Sequence, residues 1–460
     1  MKRVRKTRPV PPVSKPTAEV DELTVINPNA AGIDIAADEL WVSVRADRDP
    51  QPVRCFGMCT PDLIAVADGL KACGVETAAM ESTGVYWIPL YELLEERGFK
   101  VYLVNARHAK NLPGRKTDEA DCQWLRRLHA FGLLNNSFRP AGEMCAVRAY
   151  MRHRADLIEH RAAHIQHMQK ALRQMNVLLS PTVTDITGAT GLAIIRAIVA
   201  GERDPVELAR LRNPKCAKPE TEFVKALTGN YRDEHVFALK QAVALYDAYT
   251  QQILECDQEL ERKFSALKPI QDDDLPPLDT RDKRNTHSKN APAYDGRSLL
   301  YQLLGVDLVA VDGLNEVTAQ IIISEIGTDM SRWKDDKHFC SWLGLAPHND
   351  ISGGKVLRSR TLKTHNRAGQ AFRLAAQAVS KTQTALGAYF RRMRAIHGPQ
   401  KAIVATAHKI ARIVFFILRD HVAFHNTSAD DYNQRERERE IARLKKKAAK
   451  LGFTLAQASV

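Results

Sequence analysis

Nowhere in its 460 residues does the chain offer an uninterrupted apolar run of the ~18 residues that a membrane-crossing helix needs. The basic start Lys2-Arg-Val-Arg-Lys6 is followed by a proline-rich stretch, not by the apolar core of a signal peptide. Neither export nor membrane insertion is therefore expected, and the setting read from the chain is cytoplasmic. Eight cysteines stand at 55, 59, 73, 122, 145, 216, 256 and 340 without one Cys-x-x-Cys pair, which argues against a zinc site and for reduced thiols. The most telling absence lies between Ile351 and Arg419, a stretch with fourteen Lys and Arg and not one Asp or Glu. Such a segment cannot neutralise its own cations, and it suits a polyanion. Averaged over the chain the charge is only +13, so its distribution carries the information. An apolar content of 44% provides a core large enough for two or three domains.

The pattern predicts an α/β region followed by an α region. Residues 1–28 combine charge and proline with few large apolar groups and read as a disordered basic arm. Within 29–140, strands are expected at 31–36, 40–45 and 53–58 as a meander, then at 75–80 and 99–105. Helices are expected from the Thr60-Pro-Asp start, with Thr60 as cap, to near Gly74, and over 86–97 with Gly98 as the stop. The order βββαβαβα is that of an RNase H-like (RuvC-like) domain. Residues 141–268 carry long charged helical patterns at 143–180 and 235–268, suited to an antiparallel coiled-coil lobe. A charged linker or insertion follows over 269–298, then a mostly helical second domain over 299–425 and a charged helical tail over 426–460.

Four acids stand out. Asp34 lies within the first strand, Glu81 closes the fourth, and Asp118 and Asp121 sit three apart at a helix start, on one face. In an RNase H-like fold those places converge at the centre of the sheet. Singly, each residue reads equally as a turn cap or a dipole-favoured helix acid. Together, four clustered carboxylates are costly without a cation. Mg²⁺ takes hard oxygen ligands, and two such ions about 4 Å apart clamp the attacking and leaving oxygens of a phosphate.

Ser352-Gly353-Gly354 reads on composition alone as a flexible loop. A serine that attacks a DNA phosphate needs bare backbone for close approach and cations for the developing charge, and Gly353, Gly354, Lys355, Arg358 and Arg360 supply both. Lys363, Arg367 and Arg373 extend the basic run as further nucleic-acid contacts. Ser359 is a second candidate nucleophile; Tyr389, before Arg391-Arg-Met-Arg394, reads better as a packed tyrosine. Residues 308–319 look like a helix-hairpin-helix centred on Asp312-Gly313, with Asn315 where a second glycine is usual. His153, His160, His164 and His167 share a helical spacing but lack the partners of a zinc site, and read as a solvated or RNA-facing face.

In five blocks in order, the sequence resembles the DEDD-type transposases of bacterial insertion sequences that use a bridge RNA, relatives of the pilin-gene DNA invertases. The blocks are Gly32-Ile-Asp-Ile-Ala; Met80-Glu-Ser-Thr-Gly-Val-Tyr-Trp87; Lys116-Thr-Asp-Glu-Ala-Asp121; Val311-Asp-Gly-Leu with Trp342-Leu-Gly-Leu-Ala-Pro347; and Ser352-Gly-Gly-Lys355 continuing to Asn366-Arg367. The resemblance implies a recombinase whose RuvC-like domain binds Mg²⁺ through Asp34, Glu81, Asp118 and Asp121. It further implies that Ser352 forms a covalent phosphoserine with DNA, that the protein assembles as a dimer to tetramer, and that a structured noncoding RNA pairs with donor and target DNA. Two other functions fit parts of the sequence: a two-metal endonuclease without a covalent intermediate, and a noncatalytic nucleic-acid-binding protein.

Overall fold

Residues 24–82, 84–105, 117–140, 142–269, 275–278, 289–361 and 366–456 are described by a computed structural model. Most of the basic arm, Lys116, Lys363 and half of the 269–298 insertion lie outside these residues. The chain divides into two compact units, Met1–Arg139 and Pro140–Val460.

The first unit is built on β1 (Ala30–Ile35), β2 (Glu39–Ser43), β3 (Val53–Gly57), β4 (Thr77–Glu81) and β5 (Lys100–Val104), in the order β3-β2-β1-β4-β5. β1 is antiparallel to β2 and parallel to β4, which is parallel to β5. This mixed sheet has the topology the element order implies for an RNase H-like domain. On one face Ile33, Leu40, Val42 and Met80 pack against Leu63, Val66 and Leu70 of α1 (Thr60–Ala72) and Leu90 and Leu94 of α2 (Trp87–Glu96). Because side chains alternate along a strand, Gly32, Asp34 and Ala79 face the other way. There Ala79 and Val104 meet Leu125 of α3 (Asp118–Ala130). The cap of α1 falls one residue earlier than expected. Cys59 is the cap, and the Asp62 carboxylate accepts from its N–H at 3.2 Å, so Thr60 lies inside the first turn.

A Cβ on Gly32 would lie 2.2 Å from the carbonyl oxygen of Cys122 and 2.3 Å from the amide nitrogen of Arg126. β1 and α3 therefore touch backbone to backbone, which only glycine permits. Gly32→Ala is expected to force the helix off the sheet and destabilise this unit by about 3 kcal/mol. Urea unfolding checks this, and an unchanged midpoint would contradict the close approach. At the other end of α3, the N–H groups of Ile26 and Asn27 both donate to Ala130 O at 2.9 Å, and Asn27 Nδ2 donates to His129 O at 2.7 Å. The residues just before β1 are thus tied to the helix.

In the second unit, α4 (Glu143–Gln174) begins where expected but stops at Gln174, where Met175 caps it and Asn176 turns left-handed at φ 54°. Helices α5 (Ala189–Ala200), α6 (Pro205–Arg210) and α7 (Glu220–Leu227) follow, and then α8 (Asp233–Ala266). α4 and α8 run antiparallel, for Arg154 meets Asp257 while, further along, His164 stacks on Tyr249 at 5.4 Å. The shorter helices close over one end of the pair, burying Ile194, Ile195, Ile198, Leu208 and Phe223 with Met168, Leu172 and Leu239. The buried Arg154 Nη2 donates to Asp257 Oδ2 at 3.2 Å, and the same oxygen accepts from Ala293 N at 3.1 Å, anchoring the last part of the 269–298 segment.

The remainder comprises α9 (Gly296–Leu304), α10 (Glu316–Ile326), α11 (Asp336–Trp342), β6 (Pro347–Ser352), β7 (Lys355–Thr361), α12 (Arg367–Ala378), α13 (Ala385–His397), α14 (Pro399–Asp420) and α15 (Ala429–Lys450). The C-terminal region is helical apart from one hairpin. Leu308–Ala310 makes only a 3-10 turn. Gly313 (φ 88°) lies so close to α12 that a Cβ would stand 2.4 Å from Ala375 O, so this glycine serves close packing. Tyr389 is packed as well, edge-on to Tyr432 of α15 at 6.4 Å, with Lys409 Nζ 4.3 Å from its ring centre. Among the described residues, no helix is long and apolar enough to cross a membrane.

Candidate metal centre and serine hairpin

Three backbone features bring the four acids together. Ile33 pairs with Met80 across the parallel β1 and β4, so the next step along both strands sets Asp34 beside Glu81. Thr117 caps α3, its hydroxyl accepting from Ala120 N at 3.3 Å, which places Asp118 at the first helical position and Asp121 one turn on. Contact at Gly32 then holds that helix against β1. This glycine, two residues before Asp34, was legible as part of a motif but not as the reason the helix can come so near.

Asp34 is half-buried and Glu81 is buried. The Asp34 carboxyl is pushed up to about 6, first by loss of solvent and then by the charges of Glu81, Asp121 and Asp118, against one lowering hydrogen bond in which Ile35 N donates at 3.1 Å. All four acids thus share one field. Among the described residues, however, no three His, Cys, Asp or Glu side chains close to ligation geometry around one point. Backbone register and capping fix where the acids start. Four carboxylates, half-buried Asp34 and the three whose charges it feels, are hard oxygen donors of the kind a divalent cation takes.

The sign of the Asp34 shift gives a stability prediction. A carboxyl raised in the folded state contributes stability that is complete below its unfolded value of 3.8 and is lost as pH rises through about 6. Asp34→Asn stays neutral throughout. In metal-free buffer at pH 7.5 it is expected to exceed the wild type by on the order of 2 kcal/mol, with the gap closing towards pH 4. Thermal midpoints across that range check it, and a destabilised Asp34→Asn at neutral pH would contradict the shared field.

Ser352 ends β6, and Gly353 (φ 54°) and Gly354 (φ 74°) turn the chain directly into β7. Two successive left-handed residues suit the twist of a tight hairpin, and here glycine is needed for its conformation, since a Cβ at either would meet open space. The segment read from composition as a flexible loop is an ordered hairpin, exposed along both strands. Its register carries a bulge: Ser352 pairs with Lys355 and Ile351 with Val356, but Asp350 pairs with Arg358 and His348 with Arg360. The extra residue, Leu357, restores the alternation, so Lys355, Arg358 and Arg360 all share the face of Ser352. In strict alternation without a bulge, Arg358 and Arg360 would point away from the face of Lys355. Ser359, paired with Asn349, falls on the opposite face.

The remaining basic candidates differ in what they touch. Arg367 opens α12 and its Nη2 stands 3.7 Å from an Asp156 oxygen. Arg373 is committed to the fold: its Nη2 donates to Gly344 O at 2.8 Å, and burial holds its pKa below the ordinary arginine value. Asn366 caps α12 by accepting from Gly369 N at 2.9 Å and donates to Trp342 O at 3.3 Å. The Trp342-Leu-Gly-Leu and Asn366-Arg367 blocks therefore form one joint. Lys363 lies outside the described residues.

Two family models match the chain. One, described as Transposase and representing the DEDD transposases of the IS110 family, covers residues 31–177. The other, described as Transposase IS116/IS110/IS902 family, covers residues 307–391. No curated protein matches. The first span contains Asp34, Glu81, Asp118 and Asp121, and the second contains the Ser352 hairpin. A DEDD transposase domain goes with the use of a divalent metal and with DNA as substrate. The chain carries IS110-family DEDD transposase domains.

Proposed function

We propose that the protein is the recombinase of an insertion sequence, cutting and rejoining donor and target DNA with Mg²⁺ held by Asp34, Glu81, Asp118 and Asp121 and with Ser352 as nucleophile. The observation that carries this reading is the charge of three other acids converging on half-buried Asp34. Such an arrangement costs stability as a structural element and gains a purpose around a cation. Bound there, Mg²⁺ would supply charge neutralisation at the phosphate oxygens.

The chain's own residues divide the remaining work. Ser352 Oγ would attack phosphorus, forming an O–P bond as the bond from phosphorus to the departing deoxyribose oxygen breaks. The serine proton is lost to solvent and the leaving oxygen gains one. Lys355, Arg358 and Arg360, on the same hairpin face, would hold the phosphate and stabilise its developing charge. A second attack by a deoxyribose hydroxyl would release the serine and join the new strand. Sequence choice would fall to a bridge RNA pairing with both DNAs, the protein reading backbone and shape, and the active species would be a homo-oligomer, dimer to tetramer.

The test is strand cleavage and joining by purified protein with its element's noncoding RNA, in Mg²⁺ and in EDTA. Activity that survives EDTA would remove the metal, and activity without RNA would remove the guide.

A further inference from the structure

The α3-facing side of the sheet holds an aromatic residue that metal binding alone does not require. Across it run register partners in one row: Asp34 on β1 pairs with Trp41 on β2, which pairs with Cys55 on β3. The neighbouring row, Gly32 with Ser43, is roofed by α3, where Arg126 Nε donates to Ser43 Oγ at 3.3 Å. Trp41 lies one pair further along, where the helix offers only its first turn. The charge of Asp118 acts on both Asp34 and Cys55, the register neighbours that flank Trp41. Trp41 is half-buried, and its Nε1 donates to Glu39 Oε1 at 3.3 Å. With its polar edge satisfied inside the chain, the ring has apolar surface left to offer.

We infer that Trp41 is the stacking floor for a nucleobase next to the phosphate handled at the carboxylates. Indole adds nothing to a hard-cation site, but every base has a π-face, and stacking on an aromatic side chain holds a strand without regard to sequence. Trp41 would fix the strand's height over Asp34 by contact with the base, leaving the phosphate to the acids. The inference rests on reading those acids as the cutting centre.

The experiment uses short single-stranded DNA, and RNA of the same sequence, carrying 2-aminopurine at several positions, titrated into the full-length protein in Ca²⁺. For the wild type, stacking is expected to quench the probe in at least one of the two, which identifies the strand. Trp41→Phe should keep the quenching, whereas Trp41→Ala should lose it and bind about tenfold more weakly. Thermal stabilisation by added Mn²⁺ reads the carboxylates separately, and it should be equal in all three proteins. Quenching in neither strand, or unchanged quenching and affinity in Trp41→Ala, would overturn the stacking role. Absence of Mn²⁺ stabilisation in the wild type would instead overturn the metal reading beneath it. If Trp41→Ala fails to fold, loss of quenching in Trp41→Phe with an unchanged thermal midpoint decides against stacking.

Discussion

Asp34→Ala is expected to reduce strand cleavage by roughly 10³-fold or more while leaving the metal-free protein at least as stable as the wild type at neutral pH. The two halves of that result come from one observation. Asp34 is the acid that feels all three others, so in the proposed mechanism its removal would take away the central ligand. It also takes away a half-buried charge held among like charges, and that loss is favourable to folding. A merely structural aspartate behaves in the opposite way, losing stability and activity together. Cleavage assays in Mg²⁺ beside thermal melts in EDTA separate the cases. Residual cleavage within tenfold of wild type would exclude Asp34 from the metal centre, and a large loss of stability would make it a structural acid.

Ser352→Ala is expected to remove all covalent joining of protein to DNA, with folding and noncovalent nucleic-acid affinity nearly unchanged. Ser352 is exposed at the hairpin end and its pairing with Lys355 is made through the backbone. Deleting an exposed hydroxyl there costs within about 0.5 kcal/mol. Ser359→Ala should leave joining intact, because strand alternation puts that serine on the opposite face from Arg358, Arg360 and Ser352. Binding and melting measured alongside joining check the pair of variants. Equal loss in both would mean that the hairpin acts as a surface and not through one hydroxyl.

Much of the first unit was legible in the sequence. Alternating apolar residues marked all five strands within a residue or two, and Gly98 marked where a helix stops. The acids could be grouped because strand order alone brings the ends of β1 and β4 together. The close approach at Gly32 was not legible, since it depends on which helix crosses which strand. The basic hairpin was missed although Gly353-Gly354 between Ile351 and Val356 is a short-range hairpin signal, because its strands are exposed and bury no face, Ile351 and Val356 included. Helices α5 to α7 were also left unassigned, despite Asp204-Pro205 as a cap and first-turn pair. Arg373 illustrates a limit of counting charge: it sits in a basic run, yet its guanidinium is spent on a backbone carbonyl. Of the described cations named for nucleic acid, Arg373 is bound to Gly344 O and Arg367 stands near Asp156, whereas Lys355, Arg358 and Arg360 are exposed on the hairpin face.

The measurement closest to the centre of this mechanism is a denaturing gel of labelled donor and target DNA incubated with the protein, its element's noncoding RNA and Mg²⁺. A DNA band carrying covalently attached protein, present in the wild type and Ser359→Ala and absent from Ser352→Ala and Asp34→Ala, is the predicted result. Cut DNA without attached protein, produced equally by Ser352→Ala, would contradict serine attack and leave a nuclease that works through the carboxylates alone.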